Sequence, residues 1–245
     1  MVDKQNESIL SKGSRPSPLV TYSIAPHSPY LYDDASLVAI KQLCEKHGIL
    51  MHIHVQETKD ELESSVAGNH ACPSCHKSSR LCSPIQNMAS LGILDHTCCA
   101  HCVHVLDEDI ELLARHHASV VHCPHSNLKL GSGIAPVQKM LDKGVNVCLG
   151  TDGASSNNNL DMMGEMRTAA LIGPIAAGDA KAVDAMTALE MATLNGAKAL
   201  GLQDVIGSIE VGKHADLIAI DMNRLESLPI HNLFSNLVYA TGKEQ

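Results

Sequence analysis

The chain has 245 residues, 44% of them apolar and 18% charged, with a net charge of −9 at pH 7. That balance belongs to a globular protein in water, and no run of about 20 apolar residues offers a bilayer span. Without clustered cations to displace counterions from a phosphate backbone, and with no Trp, four Tyr and one Phe, the chain is poorly equipped for nucleic acid. The expected partner is a small molecule rather than nucleic acid or a membrane.

Residues 1–18 form a polar N-terminal segment (VDKQNESILSKGSRPSP after Met1) without the apolar stretch of a secretory signal, so a cytoplasmic protein is expected. From Val20 onward short apolar runs alternate with stretches of helical period, the pattern of βα units around a parallel sheet. The first predicted strand is Leu19 to Ala25. DDASLVAIKQLCEKHG follows, in which Asp34 can cap, Leu37, Ile40, Leu43 and Cys44 share a face, and Gly48 closes the helix.

The second predicted strand, Ile49 to Val55, contains LMHIHV. Alternation puts His52 and His54 on one face and Met51, Ile53 and Val55 on the other, with Glu57 just past the end. Two imidazoles and a carboxylate at one strand end suit a metal and a proton carrier; hydrogen-bonded core histidines are the alternative. HACPSCHKSSRLC comes next. Cys72 and Cys75 are spaced as half of a zinc ribbon, beside His70, His76 and Cys82, but no second pair completes a site. A cysteine cluster on a loop is the better reading, and all nine cysteines, an odd count, are read as free thiols rather than bridges.

The remaining predicted strands are Thr97 to Val103, Ser119 to Cys123 and Val145 to Gly150. Helical stretches lie at Asp107 to His116, Ala135 to Lys143 and Asn159 to Leu171. In the third strand His101 and Val103 share a face and His104 points away, so His104 is read as structural. Asp152, in LGTDGASSNN, is either a turn former or a carboxylate aimed into the mouth of a barrel. From Ala182 the chain becomes an Ala-rich helical region and then a turn-rich strand segment, GSIEVGKHADLIAID. No P-loop, GxGxxG or GxSxG motif is present.

In order, APHSPY, MHIHVQET, AHCVHV, HCPHSNLKLGSGIAPV, LGTDGASSNNNLDMMGEMR and GSIEVGKHADLIAID resemble the methylthioadenosine/S-adenosylhomocysteine deaminases. These belong to the chlorohydrolase-like branch of the amidohydrolase superfamily, and the likeness runs from about Val20 to about Tyr239. It implies an α/β fold of the (β/α)8 TIM-barrel type, here strands four to eight only. A partial barrel at 19–205 and a return into a partial β-sandwich at 206–245 are implied with it. The family's HxH pair on its first strand has no counterpart before Val20, so a partial gene product is expected.

Carried over residue by residue, the resemblance implies that His54 and Asp152 bind one divalent metal, zinc before iron. Glu57 becomes the proton shuttle that also contacts a substrate ring nitrogen, His101 the group beside the metal that positions water, and His27 a substrate contact. His52 matches no ligand. The implied reaction is hydrolytic deamination of an adenine nucleoside: water gives a proton to Asp152 and attacks C6, Glu57 protonates the ring, and ammonia leaves. The implied partner is a purine nucleoside or aminated heterocycle, with a homo-oligomer left open. Guanine deaminase or triazine chlorohydrolase, and an inactive fragment or interaction protein, are the alternatives. His125 and the 63–92 stretch depart from the family pattern.

Overall fold

The computed structural model describes residues 19–69 and 82–245. Five parallel strands form one sheet in the order β1 (Ser23–Ile24), β2 (Leu50–Val55), β3 (Cys98–His101), β4 (Ser119–His122) and β5 (Asn146–Leu149). Each crossover carries helix: α1 (Asp34–His47), α2 (Lys59–Ser64) with α3 (Pro84–Ser90), α4 (Asp107–Arg115), and α5 (Pro124–Leu130) with α6 (Val137–Asp142). After β5 come α7 (Ala154–Asn157), α8 (Met162–Ala177), α9 (Ala185–Ala192), α10 (Leu194–Ala199) and α11 (Leu233–Tyr239). Parallel strands need such crossovers, and the sheet is buried on the side they cover.

The core is built by alternation. On β2, Met51, Ile53 and Val55 point under the helices and are at most 1% exposed, while Leu50, His52 and His54 are half-buried on the other face. Cys99, Val120 and Val147 continue the covered side and meet Leu37, Ile85, Met88, Ile110, Leu113 and Met140 of the helices. On the opposite face Leu50, Cys98, Val121 and Cys148 gather around Ala199 of α10. The His52/His54 face expected from period 2 is therefore present.

The strands are shorter than predicted, for identifiable reasons. β1 reduces to Ser23–Ile24, which pair only with Leu50 and Met51, and Leu19 upstream is exposed. β3 stops at His101 because His101 (φ 72°) and Cys102 (φ 45°) enter the left-handed region, ending the pleat. The cap of α1 is Asp33, whose carboxylate accepts from Ser36 N at 2.7 Å, rather than Asp34, which instead accepts from Asn87 Nδ2 at 3.1 Å. Gly48 closes α1 at φ 61°, as its lack of a Cβ allows.

The expected strand in GSIEVGKHADLIAID does not form. Residues 207–221 run without a strand, and Ile209, Val211, Leu217 and Ile218 are exposed, because no neighbouring strand among the described residues takes their backbone groups. The chain then returns to the helical layer. α11 packs against α8 and α9, Val238 is fully buried, and Arg167 donates to the carbonyls of Val238 (3.3 Å) and Thr241 (2.6 Å).

Among the described residues six cysteines are free thiols, all buried, but Cys82 is disulfide-bonded, which corrects the free-thiol reading at that position. Burial pushes the thiols of Cys98 and Cys148 up to about 12, so both stay protonated and serve as packing. The Cys72/Cys75 spacing, with His70 and His76, lies outside the described residues, as does the 1–18 segment. No helix among the described residues is long and apolar enough to cross a membrane.

Candidate metal centre

Four chain segments meet where β2, β3 and β5 end. His54 is the last inward-facing residue of β2. Its Nδ1 lies 2.6 Å from the carbonyl oxygen of His27, and its backbone N–H donates to the same oxygen at 3.0 Å. A carbonyl can only accept, so Nδ1 carries the proton and the lone pair sits on Nε2, the form in which imidazole binds a metal. His27 itself is exposed, 4.9 Å from the His54 ring centre. Its backbone carbonyl thus orients His54, while its own Nδ1 lies 3.1 Å from Ser28 Oγ.

His101 stacks on the other side of His54, with ring centres 5.4 Å apart and planes 24° from parallel. Strict alternation would have sent His101 toward the helices with Val55, its register partner. The left-handed turn at His101 and Cys102 redirects the ring, and this departure is why pleat reasoning alone misplaces it. Asp152, also left-handed at φ 61°, brings a carboxylate from the loop after β5. Ligand-capable atoms of His54, His101 and Asp152 all lie within 4.8 Å of one another. Non-glycine residues in this backbone region cost energy and concentrate where function demands them.

The Asp152 carboxylate is held on both oxygens, by Ser126 Oγ at 2.6 Å and Gly153 N at 2.7 Å. Burial works against its charge, but the Ser126 hydroxyl, the Gly153 N–H and nearby His101 prevail and keep its pKa below the usual carboxylate value. It is ionised at neutral pH. Glu57 sits across the cluster, with Oε2 3.7 Å from His101 Nε2 and Oε1 accepting from Ser132 Oγ at 3.2 Å. Its backbone N–H donates to Glu61 Oε2 at 3.0 Å, which anchors the turn that presents it.

Beneath that turn Gln56, fully buried at φ 50°, donates to His104 O (2.7 Å) and Asp109 Oδ2 (2.9 Å) and accepts from Ile85 N (3.1 Å). This network ties the ends of β2 and β3 together under the site. His104, whose Nε2 lies 2.7 Å from Ser132 O, is structural in the sense expected. His125, by contrast, bonds the buried Glu165 (Nδ1 to Oε1, 2.7 Å) and Thr168 (2.9 Å), joining α5 to α8. His52 lies lower on the β2 face, and none of its atoms joins the ligand cluster. Burial first, then the neighbouring His54 and His101, lower its pKa. A cleft of about 290 Å³ opens beside Glu57, lined by Pro29, Tyr30, Asp34, Thr58, Glu61 and Asn87, among others.

The amidohydrolase family model matches residues 6–241 of this sequence. The chain belongs to the amidohydrolase family. A 5-methylthioadenosine/S-adenosylhomocysteine deaminase of Teredinibacter turnerae is 49% identical over 230 residues, 92% of this chain and 49% of that protein. Among solved structures, a zinc-bound adenosine deaminase from Xanthomonas campestris aligns with a TM-score of 0.89 and 39% identity, over 99% of this chain and 54% of that one. Atrazine chlorohydrolase TrzN from Arthrobacter aurescens, complexed with zinc, matches with a TM-score of 0.80 over 96% of this chain and 50% of that one. At 24% identity that match shows the fold alone. The chain spans about half the length of the curated relatives it matches. Within this family the five-stranded parallel sheet corresponds to part of a TIM-type barrel, whose chemistry gathers at the strand ends where His54, His101 and Asp152 meet.

Three polar groups here escaped sequence reasoning. Ser126, Asn127 and Ser132 all lie in HCPHSNLKLGSG, quoted for its family likeness but given no role; they contact Asp152, His101 and Glu57 respectively. His122 ends β4, is 1% exposed, and has no hydrogen-bond partner at either ring nitrogen among the described residues. Burial, reinforced by His101, drives its pKa from 6.5 down to about 3. Between those values the unfolded chain binds more protons than the folded one, so stability is complete above pH 6.5 and falls as the pH drops toward 3. The loss from this one group should approach about 1.4 kcal/mol per pH unit. Urea unfolding at pH 7, 6 and 5 is expected to show a shallower decline for His122→Gln than for the native chain; equal slopes would contradict the assignment.

Proposed function

We propose that this site deaminates an adenine nucleoside hydrolytically, with one divalent ion, zinc, held by His54 and Asp152 and with His101 beside them. The observation that carries the reading is the convergence of three ligand-capable side chains within 4.8 Å beside Glu57, with His54 already in the metal-binding tautomer. The identity to methylthioadenosine/S-adenosylhomocysteine deaminases supports the choice of substrate class. A divalent metal at such a site acts as a Lewis acid that lowers the pKa of water toward neutrality.

The residues divide the proton traffic. Asp152, ionised and held by Ser126 and Gly153, accepts a proton from water as its oxygen bonds to C6. Glu57 donates a proton to the adjacent ring nitrogen, so charge does not build up on the purine. His101 orients the water between these carboxyls. The C6–N bond then breaks, the amino group leaves as ammonia with the proton held on Asp152, and the C6 hydroxyl gives its proton back to Glu57 as the carbonyl forms. His27, exposed at the rim, contacts the substrate.

The test is ammonia release from adenosine, methylthioadenosine and S-adenosylhomocysteine, with guanine and a chlorotriazine alongside, in the presence of zinc. Release from the adenine nucleosides is expected. Release only from guanine, chloride only from the triazine, or nothing from folded zinc-loaded protein would each overturn the reading.

The cleft beside Glu57 adds a selectivity. Its described lining includes Asp34, Asp60 and Glu61 and no Lys or Arg. A 5′-phosphate placed there meets repulsion with no compensating cation, so adenosine 5′-monophosphate should have a kcat/KM at least about 100-fold below that of adenosine. Comparable values for the two would show that the sugar end does not enter this cleft.

A further inference from the structure

We infer that Asn127 is a positioning residue that acts through His101, fixing the imidazole with its Nδ1 proton on the amide oxygen and its Nε2 turned toward Glu57. The distance from His101 Nδ1 to Asn127 Oδ1 is 2.8 Å, and both residues are only 1% exposed. An amide oxygen has no proton to give, so Nδ1 donates and neutral His101 keeps its lone pair on Nε2. That nitrogen lies 3.7 Å from Glu57 Oε2. The other tautomer would set Nδ1 and the amide oxygen face to face as two acceptors at 2.8 Å, at a cost of about 1–3 kcal/mol, whereas the 3.7 Å from Nε2 to Glu57 is beyond hydrogen-bond distance.

The backbone cannot do this work. His101 and Cys102 are both left-handed, so the pleat that orients inward residues on β2 ends before it can orient this ring. Asn127 is itself rigidly placed in the first turn of α5. Its N–H donates to Cys123 O at 3.0 Å, and its carbonyl accepts from Gly131 N in the helix cap and from Ser132 N at 2.9 Å. Yet its own Nδ2 is buried without a hydrogen-bond partner among the described residues. A residue selected for packing alone would not carry that orphaned donor; a residue selected for its acceptor does. The same short segment supplies Ser126 to Asp152 and Ser132 to Glu57, so residues 126–132 hold three polar groups of the site at once.

The inference rests on the proposed deamination for the task it gives His101, but its test does not need turnover. Long-range proton–nitrogen correlations on protein labelled with 15N-histidine, without added metal, read the tautomer of each ring, and the His101 signal is identified by its loss in His101→Gln. The native chain and Asn127→Asp, which keeps the acceptor, should both show His101 protonated at Nδ1. Asn127→Leu should shift it to the Nε2-protonated or mixed form, and kcat should fall about 10–100-fold with KM nearly unchanged, while Asn127→Asp retains most of its kcat. An Nε2-protonated ring in the native chain, or an unaltered tautomer in Asn127→Leu, would overturn the inference. If Asn127→Leu does not fold, the native and Asn127→Asp spectra still decide. The predicted tautomer without any ammonia release would leave the inference standing and sink the deaminase reading alone.

Discussion

Asp152→Asn should lower kcat/KM by about 1,000-fold or more and loosen the bound metal, while leaving the fold intact. Asn is nearly isosteric and tolerates the left-handed backbone that Asp152 adopts at φ 61°, so the loop after β5 should keep its course. What changes is charge and acceptor count. Ser126 Oγ and Gly153 N each donate to one carboxylate oxygen, and an amide can satisfy only one of them with oxygen. The substitution removes a ligand charge and the proton acceptor for water in one step. Metal content, steady-state kinetics and circular dichroism on the same preparation separate these effects from unfolding. A variant within tenfold of the native kcat/KM would show that Asp152 neither binds metal nor takes a proton.

Glu57→Gln should behave differently. Glu57 stands outside the three-residue ligand cluster, so metal content should be unchanged, whereas kcat should fall about 100- to 10,000-fold with KM altered only a few-fold. The amide oxygen can still accept from Ser132 Oγ, which preserves the position of the side chain. The amide cannot supply a proton to the purine ring, and its nitrogen would face His101 Nε2, where the carboxylate oxygen now lies 3.7 Å away. Loss of metal in Glu57→Gln, or unimpaired kcat, would remove the proton-shuttle role. The pair of variants therefore distinguishes a group that holds the centre from one that moves protons within it.

Much of this was legible in the sequence where side-chain direction follows from local period. The inward face of β2 with His52 and His54 follows from alternation, because both strand faces are fully specified by burial. The carboxylates at 57 and 152 lie at strand ends, where barrel chemistry sits, but local pattern left Asp152 open as a turn former, and only the family resemblance gave the two their roles. Legibility fails where the backbone leaves regular geometry. The left-handed turns at Gln56, His101 and Asp152 re-aim side chains in ways no period predicts, and the roles of Ser126, Asn127 and Ser132 depend on contacts 25 residues or more away in sequence. The helix cap at Asp33 rather than Asp34 is a one-residue uncertainty that only the extended ψ of 160° resolves. The apolar run at 207–221 reads as strand by composition, but a strand also needs a neighbour to take its hydrogen bonds, and composition does not say whether one is there.

The most direct test of the central claim is zinc binding by the purified protein, measured by competition with a chromophoric chelator. One equivalent per chain is expected, with affinity lowered at least tenfold in His54→Ala and again in Asp152→Asn. Absence of zinc binding, or binding that neither substitution weakens, would contradict a metal centre held by His54 and Asp152.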